Sequence, residues 1–456
     1  MMLPLLSAAQ LAEAGWNPPA PFALALPDGG RIEFCRVLRW LPGQRVSGEA
    51  RWGGKAVFAK LFIGERAARH AAREQQGIQA LQTQGLPTPA CLTTLSLPGL
   101  GLLLLSEFLP DAQTLESSLA DVQSLLPAFA LLGRLHAAGL VHDDLHPGNF
   151  LRQGDRLWLI DGDGIRPTAA AAQHLANLAL LLSQLPLALE VHWDSLLQAY
   201  GLPVASNVLP QLVDDWRQRR LQRFLEKTVR NCTKFAVDRN KSRFSVVLRT
   251  AQEALGGLLA DPDALLAQGR FFKDGGTCSV AALDVGEIPT VVKRYNLRNW
   301  RHALSRAWRP SRAWHSWREA HRLAFYGIAT PTPLLMIEER CGPLRGRAFL
   351  VTGFCPGPSL FEVLSAEQVP AADLATALTR LFADLYRLRI THGDLKAHNL
   401  LWHDGQVVLI DLDGTTQHRS SGSFRRAWRR DRMRFLRNWP AGSVLHDWLE
   451  ARLPPA

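Results

Sequence analysis

Two stretches of the chain repeat one arrangement of carboxylate, amide and imidazole side chains. Residues 140–163 read LVHDDLHPGNFLRQGDRLWLIDGD, and residues 390–413 read ITHGDLKAHNLLWHDGQVVLIDLD. Both run His–x–Asp–Leu–x–x–x–Asn, then a polar turn, then an apolar strand ending in Asp–x–Asp–Gly. The offset is 250 throughout: Asp144 to Asp394, Asn149 to Asn399, Asp161 to Asp411. Matching chemistry in register across such a window points to duplication. A loop carboxylate can accept or orient the proton of an attacking hydroxyl. An amide and a second carboxylate offer hard oxygen ligands of the kind Mg²⁺ prefers.

Phosphoryl transfer also needs a cation on the nucleotide's phosphates and a group that keeps it aimed. One lysine precedes each repeat on an alternating apolar stretch: Lys60 in VFAKLF and Lys293 in TVVKRYN. A helical pattern follows each, residues 65–84 carrying Glu74 and residues 311–326 carrying Glu319. The candidate catalytic bases are therefore Asp144 and Asp394. Lys60, Glu74, Lys293 and Glu319 are expected at the nucleotide, although Glu65 competes with Glu74 and the stretch from Lys293 to Glu319 is long. Asn149, Asp161, Asn399 and Asp411 are the expected metal ligands, and ATP and Mg²⁺ the cofactors. His142 and His392 are read as bracing the loops, and Asp163 and Asp413 as shaping the turns before Gly164 and Gly414, with a second metal contact as the alternative.

The elements that must position these groups also recur. Each helical pattern ends at a glycine and a proline-rich exit, GLPTP at 85–89 and GIATPTP at 327–333, a C-cap signature followed by extended chain. Apolar strands come next, LLLLSEFLP (102–110) and AFLVTGFCPG (348–357), and then a helical C-terminal half. The fold class expected is α+β: two tandem bilobal domains, each with an antiparallel β small lobe and a helical large lobe. A length of 456 residues suits two such domains, with a boundary placed at 255/256. Neither half has a full G-x-G-x-x-G. The nearest candidates for a phosphate-covering loop are Pro42–Gly43 with Gly48, and DGGTC (274–278).

Composition narrows the setting. Basic residues exceed acidic ones, 52 against 41, for a net charge of +11, which favours anionic partners. The six cysteines are scattered without a CxxC, arguing against a zinc site or disulfide framework and for a reducing compartment. The start, MMLPLLSAAQLAEAG, lacks a basic n-region, and no apolar run reaches 18 residues. A soluble or peripheral cytoplasmic protein is expected. Tryptophan and arginine interleave at Trp300, Trp308, Trp314 and Trp317 with Arg298, Arg301, Arg306, Arg309, Arg312 and Arg318. The run SFRRAWRRDRMRFLRNW (423–439) does the same, which suits an anionic glycolipid surface. No nucleic-acid fold pattern accompanies these arginines, so nucleic acid is not an expected partner.

HDDLHPGN and HGDLKAHN resemble the catalytic loops of protein-kinase-like enzymes. VVKRYN, GIATPTP, HGDLKAHNLL and LIDLDG, with the basic closing run, resemble the lipopolysaccharide core kinases that act on heptose or 3-deoxy-D-manno-octulosonic acid (Kdo). The first half resembles them more loosely, and its HPGN is also similar to aminoglycoside-type phosphotransferases. The resemblance implies ATP-dependent phosphorylation of a sugar hydroxyl in the inner core of lipopolysaccharide, by a protein peripheral to the cytoplasmic face of the inner membrane. The glycolipid would be the partner, with no stable protein partner inferred. Asp143 and Gly393 stand where switchable protein kinases carry an arginine, and His146 stands where the second copy has Lys396. A protein kinase, or a pseudokinase scaffold binding nucleotide or glycolipid, is the alternative.

Overall fold

Alternating apolar residues build an antiparallel sheet early in each of two units, Met1–Arg220 and Leu221–Ala456. The structure, a computed structural model, describes residues 3–16, 20–296, 310–341 and 344–455. In the first unit six strands lie in the order Phe22–Ala25, Arg31–Leu41, Arg45–Trp52, Lys55–Ile63, Gly101–Glu107, Cys91–Leu97. Along Lys55–Ile63, Val57, Ala59 and Leu61 enter one core layer with Phe34, Val46 and Leu103. The period of two sends Lys60 to the opposite face. There Phe62 and Leu104 receive Ala67 and Ala71 of the helix Ala67–Thr83. Gly85, at φ +63°, ends that helix, and the Leu86 N–H returns to the Leu81 carbonyl at 2.9 Å.

The remainder of this unit is mainly helical. Helices Val122–Ala137, Ala171–Leu182 and Trp193–Tyr200 converge on Leu125, Phe129, Leu132, Leu178, Leu182 and Leu196. Asp121 caps the first of them, accepting from the Gln123 and Ser124 N–H groups. The loop 143–149 emerges between this helical core and the hairpin Phe150–Gln153/Arg156–Leu159.

The second unit holds a seven-stranded sheet in the order Phe235–Arg239, Arg243–Leu248, Pro333–Cys341, Leu344–Gly353, Ile288–Tyr295, Cys278–Val285, Arg270–Asp274. Both its faces are covered. Val247, Leu335, Ile337, Phe349 and Val351 pack with Leu255 and Leu258. Their sequence neighbours Phe244, Val246, Met336, Ala348 and Leu350 pack on Ala313 and Trp317 of the helix Arg312–Phe325. The hairpin 235–248 hydrogen-bonds to strand Pro333–Cys341, so the expected boundary at 255/256 falls within this unit. Helices Ala372–Arg387, Ser421–Leu436 and Val444–Arg452 complete it, with Phe382 in ring contact with both Trp428 and Phe435. No helix among the described residues is long and apolar enough to cross a membrane.

Of the tryptophans singled out in the sequence, Trp314 is half-buried against Phe244. Trp317, Trp428 and Trp439 are buried in the core, and Trp317 donates to the Thr228 carbonyl at 3.1 Å. Trp300, Trp308, Arg298, Arg301, Arg306 and Arg309 lie outside the described residues.

His321, buried against Trp317 and Phe235, is held by desolvation at about 3 and is neutral when folded. The unfolded chain binds its proton near the ordinary value of about 6.5, so acidification favours unfolding. Between pH 7 and pH 5 this residue alone should remove about 2 kcal/mol of stability. Urea unfolding of the wild type against His321→Leu at the two pH values measures it, and the variant should show the shallower pH slope.

Candidate functional site

In the first unit three side chains far apart in sequence meet below the sheet. Lys60 Nζ lies 2.6 Å from Glu74 Oε1 and 3.0 Å from Asp161 Oδ1. Glu74 is 2% exposed and also accepts the N–H groups of Gly162 and Asp163, at 3.2 and 3.1 Å. Two glycines permit this convergence. A Cβ on Gly77 would sit 1.9 Å from the Gly162 carbonyl oxygen, and one on Gly162 would sit 2.3 Å from that of Glu74. Burial opposes charge on both Lys60 and Asp161, yet the pairing wins. Glu74 and Asp161 raise the Lys60 ammonium, and Lys60 holds Asp161 well below the usual carboxylate range.

The loop bearing Asp144 is fixed from behind. His142 is fully buried, its ring bonded to the Ile160 carbonyl at 3.3 Å, and desolvation lowers its pKa. Asn177, on helix Ala171–Leu182, accepts from the His142 N–H at 3.2 Å and donates to its carbonyl at 2.8 Å. The Ile160 N–H bonds the Asn149 carbonyl at 2.9 Å, which sets Asn149 beside the residue preceding Asp161. Asp144 itself is exposed.

The second unit repeats the convergence with one change of partner. Lys293 Nζ lies 2.5 Å from Asp411 Oδ1 and 2.9 Å from Asp413 Oδ2. Glu319, expected to hold Lys293, does not: Arg322, one helical turn on, takes its carboxylate at 2.8 and 3.2 Å. Arg322 also reaches Gln417 at 2.6 Å. Asp413 fills the vacancy. It accepts from Tyr295 at 2.6 Å, Ser316 at 2.7 Å and Arg312 at 2.5 Å besides Lys293. Burial pushes Asp413 up, but Lys293 and these donors hold it below its usual range. Burial and the same carboxylate push the Tyr295 phenol well above its own. Asp413 is thus more than a turn former.

Loop anchoring is also rebuilt with different residues. Asp431 on helix Ser421–Leu436 accepts the N–H groups of His392 at 2.6 Å and Gly393 at 3.0 Å. Burial raises the Asp431 pKa in spite of those bonds. His392 bonds the Ile410 carbonyl at 2.8 Å. Asp394 is contacted by Arg434 at 2.9 Å and Lys396 at 3.2 Å.

The oxygen groups fit a small divalent cation. Asp161 and Asp411 both take left-handed backbone, φ +71° and +59°. Each gives one oxygen to its lysine, while the other has no hydrogen bond among the described residues. Asn399 donates its amide N–H to the Asp394 carbonyl at 2.9 Å, leaving its oxygen for a ligand. Asn149 differs, since its oxygen already accepts the His146 N–H at 2.8 Å. The suspected phosphate-covering segments are hairpin turns, 42–44 between strands of the first sheet and 275–277 between strands of the second. In the first, Arg39 and Arg45 lie near enough to feel the Asp161 charge.

Sequence reasoning missed Asp431, Asn177 and Tyr295, and the parts that Asp413 and Arg312 play around Lys293. The second carboxylate of Asp–x–Asp–Gly was a signal for Asp413. The others carry none, because only the fold brings them to the loop.

A sheet lysine held on a strand-end carboxylate, beside a loop carrying Asp and Asn, is the site of a kinase-type phosphotransferase. Residues 286–449 match the model of the lipopolysaccharide kinase (Kdo/WaaP) family. The match lies within the second unit, and it supports a kinase, an ATP-dependent phosphotransferase. Among solved structures, one of WaaP in complex with acyl carrier protein is similar at 20% identity, covering 41% of this chain and 88% of that one, with a TM-score of 0.32. A structure of vaccinia related kinase 3 is similar at 13% identity, over 35% of this chain and 56% of that one, with a TM-score of 0.27. No curated protein matches the chain.

The exchange of partners at Lys293 is testable. Asp413→Asn should raise the KM for ATP by roughly tenfold or more, the scale of a lost charge-assisted hydrogen bond. Glu319→Gln should leave it within about twofold, because Glu319 meets Arg322 instead. Steady-state kinetics against ATP distinguishes the two outcomes.

Proposed function

We propose that the protein uses Mg²⁺–ATP to phosphorylate sugar hydroxyls, of heptose or Kdo, in the lipopolysaccharide inner core. It does so with two kinase-like sites that arose by tandem duplication, at the cytoplasmic face of the inner membrane. The observation that carries the reading is the bridge from Lys293 to Asp411, 2.5 Å across 118 residues, within the stretch that matches the family.

In this reading Lys293 and Lys60 neutralise the nucleotide's phosphates, kept in place by Asp413 in one site and Glu74 in the other. Asn399 with Asp411, and Asp161 with Asn149 through the second lone pair of its amide oxygen, would hold magnesium, which supplies charge neutralisation on the transferred group when bound. Asp394 and Asp144 orient the acceptor hydroxyl and take its proton. Lys396 stands beside Asp394, 3.2 Å away, as a further cation for the transferred phosphoryl group, whereas the first site has His146 at that position. The net charge of +11 favours approach to an anionic membrane surface.

Purified protein should consume ATP when given core oligosaccharide. Asp394→Asn should lower kcat at least ~10²-fold, the usual worth of a positioned base. Unchanged turnover would remove Asp394 from the mechanism. Asp144→Asn, made separately, reads the share of turnover belonging to the first site, and phosphate counting on the product by mass spectrometry shows whether each variant loses its own phosphate.

A further inference from the structure

Beside the catalytic loop of the second unit is a cavity of about 580 Å³, a size that accommodates a sugar-sized ligand. Gly393 and Gly414 line it on the side of Asp394, and the helix Ser421–Leu436 lines it opposite. Arg430, Arg434 and Arg437 follow one another at spacings of four and three, so they share a helix face, and all three line the cavity. The other face of the helix is buried through Phe424, Trp428 and Phe435.

The arginines are not there to satisfy the protein's own acids. Among the described residues only Arg434 has an anionic partner, Asp394 at 2.9 Å. Arg430 and Arg437 have no such partner, and both are exposed to the cavity. Asp431 also lines it, but its Oδ2 takes the His392 N–H at 2.6 Å and its Oδ1 the Gly393 N–H at 3.1 Å. A favourable helix-end location explains basic residues in the last turn, which covers Arg434 and Arg437 but not Arg430. Three guanidiniums gathered at one concave surface repel one another unless an anion joins them, and their forks match phosphate and carboxylate geometry.

We infer that this cavity is the acceptor subsite and that it grips an anionic group already carried by the sugar substrate, a phosphate ester or a carboxylate. Arg430 and Arg437 hold that group, and Arg434 lies between it and Asp394. Seating the anion therefore sets a neighbouring hydroxyl at the catalytic carboxylate. The inference rests on the phosphotransfer reading above and adds what the acceptor must carry.

The test uses the full chain, saturated with a non-hydrolysable ATP analogue and Mg²⁺ so that nucleotide-site binding does not contribute. Inorganic phosphate and acetate are titrated by calorimetry at constant ionic strength into wild type, Arg430→Gln/Arg437→Gln, and Arg430→Lys/Arg437→Lys. Phosphate should bind the glutamine variant at least tenfold more weakly than wild type, with the lysine variant between them. Equal phosphate affinity in wild type and the glutamine variant overturns the inference. In a second arm, core oligosaccharide is supplied intact, phosphatase-treated or carboxyl-reduced. The glutamine variant should raise the acceptor KM about tenfold for the intact form, and the treatment that erases this difference identifies the anion as phosphate or carboxylate. A difference that survives both treatments counts against an anion grip. If wild type phosphorylates no oligosaccharide, the core-kinase reading fails while the phosphate titration still decides the cavity.

Discussion

Everything at the two sites hangs on an ammonium buried against a carboxylate from a distant part of the chain. Lys60 and Asp161 are 101 residues apart, Lys293 and Asp411 are 118 apart, and each pair closes to hydrogen-bonding distance. Such pairs add little to stability, because removing two charges from water costs about as much as their attraction returns. Losing one partner is the expensive event, since it strands the other charge. The pair therefore acts as a specification of geometry: the sheet and the strand-end turn are correctly docked only when both charges are satisfied. Neither burial nor charge alone explains the arrangement. Desolvation opposes the charged state at Lys60, Asp161 and Lys293 alike, and the network of opposite charges overrides it.

Around that fixed element the two units solve secondary problems differently. The first aims its lysine with a helix glutamate, the second with the other carboxylate of the strand-end turn. The first ties its Asp-bearing loop to an asparagine, the second to an aspartate whose two oxygens serve consecutive N–H groups. Each exchange satisfies the lysine and the loop while changing which side chain provides the partner. Buried donors and acceptors demand partners of suitable geometry and do not prescribe identity.

Much of this was legible in the sequence, and the failures have physical causes. The repeat at an offset of 250 located the loop and turn residues because their spacing is local. Alternation placed Lys60 and Lys293 on strands, and glycine followed by proline marked the ends of helices at Gly85 and Gly327. Glu319 was misjudged because a local partner, Arg322, lies one turn away on its own helix and captures it. Counting residues from a lysine to a helix cannot foresee that competition. The hairpin 235–248 was assigned to the first half because chain order suggested it, whereas its strand pairing is settled by hydrogen bonds to residues nearly a hundred positions later. The tryptophans read as surface anchors from composition, but periodicity within helices Arg312–Phe325 and Ser421–Leu436 turns Trp317 and Trp428 inward.

The contact between Gly77 and Gly162 has a dynamic consequence. With no side chain on either residue, the helix backbone rests directly on the strand-end turn, and Glu74 bonds that turn through two N–H groups. Rotating the helix about its axis would drive it into a peptide carbonyl and break those bonds together. Helix and turn must then travel as one rigid piece. Alignment of the first site is in this way a standing property of its packing.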